Sequence, residues 1–445
     1  LRGTNNVSTS GGKIVLAGGL DSNSDGIPDG YAYRSYDDTI RSAELGANVS
    51  LQSGGGDILI QGSGGGVGVG FSGSGTSIDS AGGKIEINGI GATNHGVWIS
   101  SNLSVNSNNG DLKISGQANN GQGIDFEGDG IKLLSGLGKI NIEGTSVSSY
   151  GIYGVNNLVI SSNSTDETAI SLTATSTSSF AMYFGTSASK NLLIQSSSNT
   201  PSTGNIVLQG NTSSGQIAIG FDYYGSGSKT QILTAAGDIS ILANGDESRT
   251  FYTSTALFLG QRANDTQVNG VSPINTNSTG DIKILSEGGI YANSGAGGLW
   301  TIKTGDATNS GGDVIIASDS NNANGGFQYY SSGLTVNSFG GDITLGGGDV
   351  SGSGYAQGTT YSTSFSGNGI QIDGALSLNC SGNNTYTGGN IEIRAKGYAS
   401  TWGAYNINGF LKYGGSTNLN SGTGKIAISG VAPTTQTNAT SVGFI

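Results

Sequence analysis

The stretch DSNSDGIPDG sets carboxylate and amide oxygens at Asp21, Asn23, Asp25 and Asp29, with Gly26 between them. Oxygen side chains at alternating positions followed by glycine can wrap a hard cation, because the glycine allows the sharp bend and the carboxylates neutralise the charge. Three carboxylates and an amide within nine residues also repel one another unless a cation joins them. The expectation is calcium held by Asp21, Asn23, Asp25 and Asp29, with the backbone carbonyl of Ile27 at a further position. The oxygens would lie at roughly 2.3 to 2.6 Å; magnesium, which keeps its waters in a strict octahedron, is disfavoured. The competing reading is a plain Asp/Asn turn. A shorter echo, Asp319, Asn321 and Asn324 before Gly325, has too few carboxylates to bind a metal tightly, and the turn reading is favoured.

The DSNSDG spacing resembles the calcium loops of thrombospondin type 3 repeats and the first half of an EF-hand. The bidentate glutamate that ends an EF-hand loop would fall on Ala32, so the resemblance implies a ligand from elsewhere, Asp37 or Asp38.

Catalytic chemistry has less to work with. The chain holds one histidine, His95, in an Asn-His-Gly turn, and no pair of closely spaced aspartates accompanies it in sequence. A glycosidase needs two carboxyl groups flanking the bond it cleaves. The expectation is therefore no hydrolase or lyase activity.

A separate set, Trp98, Tyr153, Phe258 and Tyr291, occupies the middle of short apolar runs. If the neighbours of each face inward, the ring faces outward, where it could contact glycan rings or a neighbouring fibre. A shift of one residue would turn the same rings into core.

The scaffold for these groups is a repeat. Gly-Gly-Asp/Lys followed by alternating apolar residues recurs as GGDILIQG from Gly55, GGKIEING from Gly82, GDLKISG from Gly110 and GKINIEG from Gly138, and continues to GKIAISG from Gly424. The alternation has the period of two that gives a strand one inner and one outer face; this is strand A. Gly56, Gly83, Gly110 and Gly138 are separated by 27, 27 and 28 residues, the size of one three-stranded coil. Strand B follows, as in GVWIS at Gly96 and GIDFEG at Gly123, then strand C, as in LSVNS at Leu103 and IKLLS at Ile131. Three short strands that cannot each bury a face alone can bury a continuous core by stacking.

The expected fold is all-β, a parallel β-helix with three strands per coil and about 13 coils, roughly 60 Å long at about 4.8 Å per coil. Residues 1–445 are read as one continuous solenoid, with residues 17–47 as a long loop carrying the calcium site. Ile58, Ile85, Leu112 and Ile140 should share one interior column. The residue after the strand A glycine alternates Lys13, Asp57, Lys84, Asp111, Lys139, then reads Asp238, Asp281, Asp313, Asp342. The first run would stack opposite charges; in the second, cations, turn amides or Asx turns must offset the repulsion.

Composition supports this reading. Glycine supplies 81 of 445 residues and charged types 11%, so turns are frequent and charge-stabilised surface helices are not expected. Hydrophobic types at 34% are too many for a disordered chain. A net charge of -12 argues against nucleic acid and anionic membrane as partners, since both need a basic footprint. The single cysteine, Cys380, leaves the redox compartment open, and there is no apolar run long enough for a spanning helix. The sequence begins in a strand C and ends in a strand B, which predicts a fragment of a longer chain.

The GGD/GGK-I-x-I core with its NVSLQSGGGDI lead-in resembles the repeats of filamentous-haemagglutinin-type adhesins and giant β-strand-repeat bacterial surface proteins. The resemblance covers nearly the whole chain. It implies a right-handed β-helical fibre, extracellular or on the cell surface, used in attachment, biofilm or surface structure. Self-assembly and surface glycans are the expected partners; a phage tailspike-like or polysaccharide-processing β-helix is the alternative.

Overall fold

The computed structural model describes residues 1–24, 28–34, 41–187, 190–200, 202–213, 217–224, 229–245, 255–261, 272–276, 280–294, 299–306, 309–320, 325–358, 367–382, 387–398, 407–433 and 442–444. Among them there is no helix, and the expected strand A segments all form strands. The chain forms two compact units, Leu1–Asn211 and Thr212–Ile445. Each is a stack of parallel strands, so the fold is a parallel β-solenoid.

In the first unit strand A recurs as Ile14–Leu16, Ile58–Gly64, Ile85–Gly91, Leu112–Ala118, Ile140–Ser146 and Thr168–Ser176, each parallel to the next. Ile58, Ile85, Leu112 and Ile140 pair in register and are buried, as the period-two pattern requires. Each such side chain, removed from water, stabilises the stack by about 1.5–3 kcal/mol. Strand B runs through Arg41–Leu45, Val67–Phe71, Val97–Ile99, Ile124–Phe126, Ile152–Gly154 and Met182–Ser187. Strand C includes Asn5–Ser8, Val49–Gln52, Thr76–Asp79, Leu103–Asn106 and Ile131–Leu134.

In the second unit strand A continues through Ile239–Gly245, Ile282–Ser286, Val314–Ser318, Ile343–Gly347, Ile391–Lys396 and Ile426–Val431. Strands B and C, expected as separate elements, merge there into single strands Phe327–Asn337 and Ile370–Asn379, with the register shifting between Tyr330 and Gly333. A bulge turns the corner that elsewhere needs a loop.

Two ladders explain the strand A signature. A Cβ on Gly83, Gly110 or Gly138 would run into the carbonyl oxygen of the equivalent glycine one coil before, so only glycine fits. Ahead of it, buried Ser53, Ser80, Ser107 and Ser135 donate their hydroxyls to the carbonyls of Gly56, Gly83, Gly110 and Gly138. Thr234 and Ser421 do the same for Gly237 and Gly424 at 2.6 and 2.8 Å. Cys380 occupies this hydroxyl position, its Sγ donating to Gly389 at 2.9 Å, and burial pushes the thiol pKa up to about 11.

The charge column is organised differently from the stacking expected. Asp57 and Asp111 accept the backbone N–H of Lys84 and Lys139, one coil on, at 2.9 Å each. The lysine ammonium groups turn elsewhere, Lys84 to Glu86 at 2.7 Å and Lys139 to Asp166 at 3.0 Å. In the second unit Asp238, Asp281, Asp313 and Asp342 accept the next coil's amide in turn, at 2.7–2.9 Å. These inter-coil amides offset the like-charge stacking. Burial foremost, with Asp281 and Asp342 adding, still raises the pKa of Asp313 against the opposing Asp342 amide.

Residues 17–47 are not one loop. Ile14–Leu16 and Ala32–Arg34 both pair with Ile58–Gly64, so the chain leaves strand A after Leu16 and rejoins it at Ala32. An antiparallel bridge between Gly18 and Gly30 closes the excursion, and Arg41–Leu45 is already strand B. The second unit repeats the device: Ile343–Gly347 and Ala356–Gln357 both pair with Ile391–Lys396 around a Gly347–Gly354 bridge.

Candidate functional site

The excursion carries the expected calcium residues. Asp21, Asn23 and Asp29 are exposed; Asp25 and Ile27 lie outside the described residues, as do Asp37 and Asp38. Asp29 accepts the Ser22 amide at 2.7 Å, the Ser22 hydroxyl at 2.6 Å and the Asn23 side-chain amide at 3.3 Å. The Ser22 hydroxyl and amide hold its carboxyl below the ordinary carboxylate range. The same local chemistry operates at Asp349 in the other excursion, where Ser351 and Ser353 push the carboxyl down to about 2. Among the described residues no three His, Cys, Asp or Glu side chains are grouped as a metal cluster. In the weaker echo Asp319 is buried at a left-handed bend with φ of 59°, while Asn321 and Asn324 lie outside the described residues.

The outer face of strand B in the first unit collects more chemistry. Val97 and Ile99 point inward, so Trp98 between them points outward; Ile152 likewise sets Tyr153 outward. The register aligns Glu44, Gly70, Trp98, Asp125, Tyr153 and Tyr183 in one outer column. Tyr183 is 7% exposed although it faces out, because Tyr150 and Phe180, from the turns before strand B, cover it at centroid distances of 5.5 and 5.2 Å. Tyr153 stacks on Tyr183 at 5.8 Å, nearly parallel. In the second unit Phe258 pairs in register with Tyr291, which is half-buried; the Phe258 side chain lies outside the described residues.

Trp98 is held on several sides. The Arg41 guanidinium lies 4.3 Å from its ring centroid, and His95 stacks on it at 5.9 Å. Its indole N–H donates to Glu127 at 3.1 Å. Arg41 also pairs with Glu44 at 2.8 Å. Burial would raise the Glu44 pKa, but hydrogen bonds from Ser72 and Arg2 and the charge of Arg41 outweigh it, and the carboxyl stays below its ordinary range.

Asp125 has no such support. It is 4% exposed; its Oδ1 is buried with no hydrogen-bond partner, and its Oδ2 is 3.7 Å from His95 Nδ1, too far for a hydrogen bond. Burial first, then the Glu127 carboxylate, pushes its pKa up to about 8. Burial pushes the His95 imidazole down, against the opposing Glu127 charge, and Gln122 N–H points at Nδ1 from 3.4 Å. Both shifts favour the neutral acid and the neutral imidazole over an ion pair.

Sequence reading found no carboxyl companion for His95 because Asp125 and Glu127 reach it from the next coil, not from nearby sequence. The available signal was the GIDFEG segment, which puts an acid where neighbouring coils place an aromatic ring.

No family model, curated protein or solved structure matches this chain. Fold and site together define a parallel β-solenoid with a mixed aromatic and acidic outer face.

Proposed function

We propose that this chain belongs to an extracellular structural or adhesive surface fibre, built by solenoid stacking, that assembles with copies of itself and contacts surface glycans. The observation that carries this reading is the in-register stack, in which each coil bonds its neighbours along one direction and can lengthen by adding coils. The acidic charge balance fits a partner other than nucleic acid or anionic membrane. Calcium bound by Asp21, Asn23, Asp25, Asp29 and the Ile27 carbonyl would order the excursion without being needed by the core. The Ser22 and Asn23 groups that Asp29 accepts in the structure would compete with a cation for the same oxygens.

The test is electron microscopy with sedimentation of the purified chain, in calcium and in chelator. Filaments are expected; strictly monomeric particles at all concentrations would overturn the fibre reading.

One observation favours the alternative, a polysaccharide-processing β-helix: the buried Asp125 carboxyl, its pKa raised by burial and by Glu127, the second carboxyl on the same strand. Release of reducing ends from a polysaccharide, abolished in Asp125→Asn and Glu127→Gln, would replace the fibre reading with that one.

A further inference from the structure

Asp125 is an acid on the outer face of a strand, where side chains ordinarily reach water, yet it is covered by its neighbours and leaves an oxygen unpaired. The register puts Trp98 one coil before it and Tyr153 one coil after. Two inter-strand spacings separate those two positions, about 9.6 Å. A carboxyl without hydrogen bonds thus sits between two aromatic side chains, with exposed Glu127 on the rim bonded to the indole N–H.

We infer that this part of the outer face, Asp125 bracketed by Trp98 and Tyr153 with Glu127 at its edge, is a binding subsite for an uncharged pyranose unit of a polysaccharide. The inference rests on the adhesive reading above and names the ligand class and the residues.

A pyranose has apolar C–H groups that pack against aromatic side chains and hydroxyls that both donate and accept, so one unit can contact the part-exposed edges of Trp98 and Tyr153 and satisfy the stranded carboxyl together. The charges select among sugars. Glu44 is shared by Arg2 and Arg41, and Glu127, which holds the rim, has no ion pair among the described residues. An acidic sugar seated at that rim meets the Glu127 carboxylate directly, which disfavours uronates, sialates and sulfated sugars. Asp125 is covered in the free protein, so a sugar hydroxyl reaches it only when neighbouring side chains move. Glu127 is bonded to the Trp98 indole N–H, so a sugar that engages Glu127 perturbs the indole.

The experiment uses the full chain with soluble mixed-linkage glucan and xylan as neutral probes and polygalacturonate as the acidic one, read by affinity electrophoresis and tryptophan fluorescence. Expected is retardation by a neutral polymer with a fluorescence change, no retardation by polygalacturonate, and at least a tenfold loss of affinity in Trp98→Ala and in Glu127→Gln. Glu127 is exposed, so its variant leaves packing intact; Asp125→Asn, equal in size, should alter affinity without loss of the far-ultraviolet β signal. Tyr355→Ala, on the second unit, should bind as the parent does. Neutral-polymer binding that all three site variants retain, preference for polygalacturonate, or no binding of either neutral polymer would each overturn the subsite. Filament formation, scored separately, decides the fibre reading whichever way the sugar result falls.

Discussion

A buried carboxyl such as Asp125 makes stability depend on pH in a direction that can be worked out. Its pKa in the folded chain, about 8, lies above the ordinary 3.8, so the folded state holds the proton more tightly than the unfolded one. The penalty is absent below pH 4, grows as pH rises from 4 to 8, and is constant above. Asp125→Asn removes this titration. The stabilities of variant and parent, read from urea unfolding, should nearly coincide at pH 4 and separate in favour of the variant toward pH 8, by a difference on the order of a few kcal/mol. A gap that does not change with pH would contradict the assignment. Asp313 makes the opposite case, a carboxylate placed to accept. Asp313→Ala should cost about 1–2 kcal/mol in urea unfolding, since it leaves the Asp342 amide at that corner without its 2.8 Å acceptor. Asp313→Asn keeps an oxygen there and relieves repulsion from Asp281 and Asp342, so it should be neutral or stabilising. Asn390 shows the arrangement already in use, accepting the Lys425 amide at 3.0 Å. An asparagine as damaging as alanine would show that charge, rather than acceptor geometry, is what the ladder needs.

At the scale of elements, strand A was legible because its period-two apolar residues follow a glycine that steric contact between coils demands, so the pattern at Ile85 or Leu112 identifies both strand and register. The excursion was misjudged as a loop through residue 47 because Ala32–Arg34, the returning half of strand A, lacks the Ile-x-Ile signature. The bulged Phe327–Asn337 strand escaped for a related reason: glycine at position 333 suggests a corner loop, and the structure bends there with pairing maintained. Asp125 was illegible as a partner of His95 because coil-to-coil register, not sequence distance, brings them together. Since the excursion leaves and re-enters the same strand, it should be separable from the solenoid. Replacing residues 17–31 by a single glutamine, to copy the Gln61 position of the neighbouring strand, should keep the thermal transition within a few degrees and abolish any calcium heat in calorimetry. Asp25→Ala in the otherwise intact chain should abolish that heat as well. Loss of the β fold on excision would mean that the excursion supports the stack, and no heat in the parent chain at millimolar calcium would mean that the loop is only a turn.

At the scale of the whole molecule, the glycine and aspartate ladders within each unit run from each coil to the next, while the serine hydroxyls brace the corner inside each coil. A surface fibre is the use that suits such a construction, and its geometry makes a demand on any assembly the chain forms. If copies add end to end, the strands must run across the filament, with their hydrogen bonds along it. X-ray diffraction from aligned filaments of the purified chain reads this directly. A meridional reflection is expected at about 4.8 Å, the spacing of parallel hydrogen-bonded strands. Filaments with that reflection on the equator, or a chain that forms no filaments in any condition, would contradict it.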